Sequence, residues 1–365
     1  MTPPSSRDHN EPPGESIRRT LLAAGFDRVG FAAAGETPRI DRFHRWLKRG
    51  HAASMDYLGR TAAKRADPRL VLAGTQTVIV LALHYSPEQS SVDSGLETEE
   101  GDLETVAVGR VAAYARGEDY HKVMEKRLKR LCDQLRETHP ARYRYYVDTG
   151  PVLERAWAHE AGVGWIGKNT CAIDPGAGSY FFLGVILTSL ELPPDAPATD
   201  HCGNCTLCLD ACPTDAFAAP YELDAQRCIS YLTIEHRGEV NPALADRFDD
   251  WIFGCDVCQE VCPFNHPPAD LPGDPELQAR QENHALSLDD LVHLDTTGFQ
   301  ARFPRSAVRR AKSEGFLRNV LIAIGNSGTA NAARILEAAA VRPVVQASSI
   351  LSATLRRAQE KLRRR

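Results

Sequence analysis

Apolar residues in this chain cluster in short runs between amphipathic and polar stretches. TVIVLALHY (77–85) and SYFFLGVILTSL (179–190) are continuous enough to predict buried strands, and YRYYVDTG (143–150) predicts another. Pro151 is placed to open the helix that follows. Residues 16–24 predict an opening helix. VAAYARGEDYHKVMEKRLKRLCDQL (111–135) predicts a short strand running into a long amphipathic helix. From about residue 285 the pattern is helical.

Within that last part, GFLRNVLIAIGNSGTANAARILEAAA (315–340) predicts a helix, a Gly-Asn-Ser-Gly turn and a second helix, as in HEAT-type repeats. One repeat cannot bury its own face, so it must pack on neighbours. The chain has 365 residues, too many for one ordinary core. The pattern divides it into a disordered 1–14, an α/β (α+β) domain at 15–195, a cysteine-rich domain at 196–268 and a helical region at 280–365. Residues 86–106 are Ser, Glu and Gly rich and predict an exposed insertion, and Pro-rich 266–276 predicts a linker.

Eight of the ten cysteines fall in the cysteine-rich domain. Cys202, Cys205, Cys208, Cys212 and Pro213 form the C-x2-C-x2-C-x3-C-P run of bacterial ferredoxins. Cys255, Cys258, Cys262 and Pro263 repeat its ending, with Cys228 alone upstream. Three closely spaced thiolates wrap one cubane, while the thiolate before Pro reaches the other cluster. This assigns Cys202, Cys205, Cys208 and Cys262 to one 4Fe-4S cluster, and Cys212, Cys228, Cys255 and Cys258 to a second. A loop must return Cys228, which a plain ferredoxin would place much closer to Cys255. Paired C-x2-C units also serve structural zinc, but the triple run and both Cys-Pro endings favour iron–sulfur. Cys132 and Cys171 read as small buried apolar residues.

The net charge of −5 conceals an asymmetry. Residues 301–365 carry 14 Lys and Arg against 3 Asp and Glu, leaving 29 basic and 45 acidic groups elsewhere. A basic tail on an acidic body points to a polyanion, through phosphate contact and not base reading. The N-terminal residues show no secretory or twin-arginine signal and no apolar stretch reaches membrane-spanning length, so a soluble cytoplasmic protein is expected. The chain has neither a P-loop nor G-x-G-x-x-G after a strand. Asp148 ends a strand before a helix, where it reads as a turn or cap residue or as a side chain projecting into a cleft.

YARGEDYHKV, VDTGPVLERAWAHEAGVGWIGKNT, SYFFLGVIL and the cysteine arrangement together resemble the epoxyqueuosine reductase family over nearly the whole chain. The resemblance implies a nitroreductase-like cobalamin-binding domain, a ferredoxin-like domain with two 4Fe-4S clusters and a HEAT-like tRNA-binding region. It implies reduction of epoxyqueuosine to queuosine, the last step of queuosine biosynthesis. The substrate would be the wobble position of tRNAs with GUN anticodons (Tyr, His, Asn and Asp types). Electrons would come from an external donor to a protein expected to be a monomer. A cobalamin-dependent reductive dehalogenase is the alternative; it would carry a twin-arginine signal and lack the basic tail. A simple electron carrier or an iron–sulfur nucleic-acid-binding protein would need no large domain ahead of the clusters.

By the same resemblance Asp148 is the proton donor, a role that requires a raised pKa. Arg60 matches a residue near the cofactor. Ser230, Arg237, Cys255 and Asp256 fall where the cluster domain meets cobalamin, and Lys168 and Asn169 line that cleft. Some relatives place a Cys where this chain has Arg116. Tyr120 and His121 belong to the motif without an assigned role. Arg302, Arg305, Arg309, Arg310, Lys312 and Arg318 are the candidates for tRNA phosphates.

Overall fold

The computed structural model describes residues 12–86, 107–266 and 273–364. The 1–14 segment, the insertion at 86–106 and the linker at 266–276 lie wholly or largely outside the described residues. Helix α1 (Pro13–Ala23) leads into strand β1 (Arg28–Ala33), and short helices α2 (Ile40–Lys48) and α3 (Asp56–Arg60) precede strand β2 (Thr77–His84). Then come strand β3 (Val108–Val111), helix α4 (Tyr120–Thr138), strand β4 (Tyr143–Tyr146), helix α5 (Glu154–Glu160) and strand β5 (Phe181–Thr188). The order β1-β2-β5-β4 makes one sheet, antiparallel at every pairing.

The continuous apolar run of β2 follows from two covered faces. Successive side chains alternate across a sheet. Ile79, Leu81 and Leu83 join Ile17 and Leu21 of α1 and Met124 and Leu128 of α4. Val78, Val80 and Ala82 join Trp157 and Ala158 of α5 on the other face. Two expectations need correction. Helix α5 starts at Glu154, after the N-cap Leu153, so Pro151 lies ahead of the helix and does not open it. The sheet is antiparallel, so the rule for strand ends in parallel sheets gives no reason to single out Asp148.

The cysteine-rich segment carries a hairpin of β6 (Phe217–Ala219) and β7 (Glu222–Leu223), helix α6 (Ile229–Ile234) and strand β8 (Trp251–Phe253). The C-terminal part adds strand β9 (Leu286–Ser287) and helices α7 (Lys312–Ser327), α8 (Ala332–Ala340) and α9 (Ser349–Arg363). Strand β3 pairs with β8 in parallel and with β9 antiparallel, so one small sheet stitches all three parts together. Val111, Ile252 and Leu286 share a core with Phe316, Val320 and Ile324 of α7, Ile335 of α8 and Leu351 of α9. The neighbour that the helix pair needs is thus the rest of the protein. Only the last residue of the expected Gly-Asn-Ser-Gly turn makes it: α7 runs through Ser327, and Gly328 ends it with φ 64°.

A buried polar pair on α7 fixes the cysteine-rich segment. Arg318 is 1% exposed and donates to the carbonyls of His236 (3.0 Å), Gly238 (2.7 Å) and Leu232 (2.5 Å). Asn319 Oδ1 accepts from Arg318 Nη2 at 2.8 Å, while its Nδ2 donates to Thr233 O and Ile252 O, both at 2.9 Å. Thr233 Oγ1 accepts the Gly254 N–H at 2.9 Å. Helix α6, which begins after Cys228, is thereby held beside the turn that carries Cys255. Among the described residues no helix is long and apolar enough to cross a membrane.

Asn319→Ala strands two buried carbonyls and frees the Arg318 fork, and should destabilise the fold by about 3 kcal/mol. Urea unfolding measures this; a loss below about 1 kcal/mol would show that those carbonyls find other partners.

Candidate active site

The cysteines gather in two sets. Cys202, Cys205 and Cys262 lie around Cys208, close enough that burial together with their charges pushes its thiol up to about 11. Cys212, Cys228 and Cys255 form the second group, with Cys258 beside Cys228 and Cys255. N–H groups already point at several sulfurs. The Trp165 indole approaches Cys202 at 3.5 Å and the Ala216 amide approaches Cys212 at 3.3 Å. The amides of Tyr231 and Ser230 serve Cys228, and that of Val257 serves Cys255. Such donors stabilise thiolates and tune the potential of a bound cluster. Cys132 is buried as expected. Cys171, half-buried, bonds Cys258 and so borders the second set.

Asp148 sits in a tight turn after β4 with φ 56°, a conformation that costs a non-glycine residue of order 1 kcal/mol. Gly150 is required nearby, since a Cβ there would come 2.2 Å from the Tyr146 ring. The turn leaves the Asp148 side chain 68% exposed. Its Oδ2 accepts the Tyr120 hydroxyl at 3.0 Å and lies 3.4 Å from His121 Nε2. The other ring nitrogen of His121 is 2.8 Å from Asp119 Oδ1. Asp119 is the N-cap of α4, so the helix start itself orients the imidazole. Tyr120 is fixed by stacking on Phe182, centroids 4.1 Å apart.

The electrostatics reverse the sequence expectation for Asp148. Desolvation raises its pKa, but the bonds from His121 and Tyr120 outweigh that and hold the carboxyl below the ordinary aspartate value. For His121, desolvation works against the charge, yet Asp119 and Asp148 together push the ring up to about 9. At neutral pH the proton therefore resides on His121. Glu154, at the start of α5, is pushed up to about 8 by burial and then by the charge of Asp148. Its Oε1 is buried with no hydrogen-bond partner. Sequence reading left His121 without a role and missed Glu154. The GEDYH spacing, which puts an acid two residues before a His at a helix start, was the available signal for the first.

The structure scatters the other candidates. Arg60 is exposed on α3, the helix whose Tyr57 feels Glu235, Arg310 and Asp148. Lys168 Nζ holds the carbonyls of Gly203 (2.7 Å) and Cys205 (2.8 Å), and Asn169 Nδ2 holds Cys258 O at 3.1 Å. Both therefore brace cysteine loops. Asp256 is buried and accepts the Ala113 N–H at 2.6 Å. Ser230 lies in the first turn of α6, and Arg237 binds the carbonyls of Ile234, Arg310 and Ala311. Arg318 leaves the phosphate candidates, because it is buried and satisfied by carbonyls. Arg302 binds Asn283 and Glu282 O, Arg305 meets Glu118, and Arg310 meets Glu235. Arg309 and Lys312 are exposed. Elsewhere Arg334 pairs with Asp289 inside the helical region, while Arg357 and Lys361 pair with Asp246 and join that region to the cysteine-rich domain.

A group whose pKa is raised on folding stabilises the fold below its unfolded pKa, and that contribution is lost as pH passes the folded value. For His121 the window runs from about 6.5 to about 9. The ring should titrate near pH 9 by NMR, and Asp148→Asn should move its midpoint down. An unmoved midpoint would contradict the pairing.

Known proteins resemble this chain over most of its length. Residues 65–149 match the family model described as epoxyqueuosine reductase QueG, and residues 201–265 match the 4Fe-4S double cluster binding domain. The epoxyqueuosine reductase of Xanthomonas campestris is 41% identical over 85% of this chain and 86% of its own. That of Pseudomonas aeruginosa is 40% identical over 90% of each. An epoxyqueuosine reductase crystallised with an epoxyqueuosine-modified tRNA-Tyr stem loop superposes with a TM-score of 0.84, at 29% identity, over 95% of this chain and 89% of that one. The Bacillus subtilis enzyme, with the catalytic loop of an aspartate swung out of its active site, gives 0.83 at 28% identity, over 95% and 90%. The chain is an oxidoreductase belonging to the epoxyqueuosine reductase family.

Proposed function

We propose that this protein reduces the epoxide of epoxyqueuosine to the alkene of queuosine in tRNA, using two 4Fe-4S clusters and cobalamin. The observation that carries the reading is the Asp119–His121–Asp148 relay, set near Glu235 of the cysteine-rich domain and Arg310 of the helical region. The eight cysteines, with N–H donors on several sulfurs, suit two cubanes. The first would be held by Cys202, Cys205, Cys208 and Cys262, the second by Cys212, Cys228, Cys255 and Cys258. The exposed Asp148 carboxylate and the unpartnered Glu154 oxygen suit the amide-rich rim of cobalamin. Bound there, cobalamin supplies a low-valent metal centre able to pass electrons to an epoxide carbon.

The overall change consumes two electrons and two protons and releases the epoxide oxygen as water. The chain's own residues manage the first proton. Asp148 would lose its water when the site is covered, which raises its pKa. The proton on His121 then passes to Asp148 across 3.4 Å, and Asp148 delivers it to the departing oxygen. Tyr120 keeps its proton, because burial and the Asp148 charge hold its pKa far above neutral. It steadies the carboxylate between turnovers. Glu154, protonated at neutral pH, is a second store beside the same carboxylate.

Exposed Arg309 and Lys312, with Arg305 and Arg310 at acidic neighbours, are the tail residues that remain for phosphate contact. The substrates are tRNAs with GUN anticodons. One chain carries every part, so a monomer suffices, and the work is cytoplasmic.

The test supplies reconstituted protein with dithionite and an epoxyqueuosine-containing stem loop. The product should be one oxygen lighter by mass; retention of the oxygen would sink the reading. Asp148→Asn should keep iron and cobalt content yet lose about a hundredfold or more in rate. Near-normal turnover in that variant would remove Asp148 from the proton path.

A further inference from the structure

The reaction needs electrons one at a time, and the surface around the first cysteine set differs from the rest of the acidic body. Residues 203–207 form an unbroken exposed run between two of its cysteines. Cys205 is the exposed cysteine, and Leu207 is a large apolar side chain left 50% open. The four cysteines of the second set are half-buried, and two of them, Cys228 and Cys255, pack in one apolar cluster with Ala53, Met55 and Tyr114. Tyr114 meets Tyr120, which donates to Asp148. The contacts therefore lead from the second set, not from exposed Cys205, to the Asp148 carboxylate.

Helix α2 is linked to that exposed loop through Tyr221 and Asp200. Residues 39–49 hold Arg39, Arg42, Arg45, Lys48 and Arg49 against Asp41 alone, in a 300-residue stretch whose net charge is −16. The helix is locked down by the Trp46 indole on Leu223 O (2.6 Å) and by Arg49 on Glu222. Arg42 lies over the Tyr221 ring at 5.7 Å. The Tyr221 hydroxyl bonds Asp200, whose other oxygen takes the Cys202 N–H at 2.8 Å. Lys168 bonds the carbonyls of Gly203 and Cys205. Arg42, Arg45 and Lys48 point to solvent, and none is in an ion pair among the described residues.

We propose that loop 203–207, with basic helix α2 as its rim, is the docking surface for a small acidic one-electron carrier protein of the flavodoxin type. This rests on the clusters acting as the electron path to the substrate. Leu207 supplies the dry contact at the shortest route to the first cluster, and the Arg and Lys side chains steer an acidic partner onto it. Each encounter oxidises the carrier by one electron and reduces the first cluster by one, and two encounters supply one turnover. A nucleic acid would meet the same charge, but it has no use for an exposed leucine over a cluster loop.

The test uses holoprotein loaded with iron and cobalt. Stopped-flow bleaching of the cluster absorption is followed with photoreduced flavodoxin and, separately, with dithionite. Arg42→Glu/Arg45→Glu/Lys48→Glu should lower the second-order rate with flavodoxin at least about tenfold and flatten its salt dependence. Leu207→Ala should lower it without changing the salt slope. Reduction and turnover with dithionite, and affinity for the tRNA stem loop, should stay unchanged. An unaltered flavodoxin rate in both variants would overturn the proposal. So would equal slowing with dithionite, which puts the defect in the cluster, or loss of stem-loop affinity, which gives the helix to the RNA. Dithionite-driven turnover by the parent protein tests the electron-path reading itself, independently of docking.

Discussion

The site depends on a buried charge placed where nothing but carbonyls can satisfy it. Arg318 and Asn319, adjacent on α7, bond the backbone of α6, the turn after it and strand β8. Removing a guanidinium from water is expensive, and several charge-assisted bonds offset that cost only in one arrangement of those segments. Cys228 precedes α6, and Cys255 follows β8 by one residue beyond Gly254. The polar pair thus sets the distance between two thiolates that lie far apart in sequence. The same helix buries Phe316, Val320 and Ile324 against strands from the other parts of the chain. Cluster geometry, tail and catalytic domain are accordingly one mechanical unit.

Much of the fold was legible because its signals are local. Thr77–His84 and Phe181–Thr188 are strands because both faces of the sheet are covered, and the Cys-Pro runs announce cluster loops through spacing alone. What escaped was non-local. Strand β3 joins strands from the cysteine segment and the tail, so boundaries drawn from composition separate chain segments but not cores. The basic tail looked like a phosphate surface, yet Arg318 is interior, Arg334 faces Asp289 of the same helical region, and Arg357 and Lys361 face Asp246 of the cysteine-rich domain. Charge counted along a sequence does not show which charges meet one another. Lys168 and Asn169 likewise sat in a suggestive motif and turned out to brace cysteine loops.

Asp148 shows the same limit in chemical form. Its motif draws attention to the residue, but its protonation depends on His121, 27 positions earlier. A carboxylate that accepts from a phenol and an imidazolium is an anion at rest. The proton it delivers must be lent by its partner, and the pair titrates as a unit. The carboxylate is held by Tyr120 and His121, on a backbone whose φ of 56° a non-glycine residue adopts only at a cost.

The most direct test of this account is the pH profile of a single turnover with pre-reduced holoprotein and epoxyqueuosine stem loop. The rate should hold through neutrality and fall as pH passes about 9, where His121 loses its proton. In His121→Gln the fall should move to lower pH, with cluster and cobalamin content unchanged. An identical profile in parent and variant would show that the proton does not come from the Asp148–His121 pair.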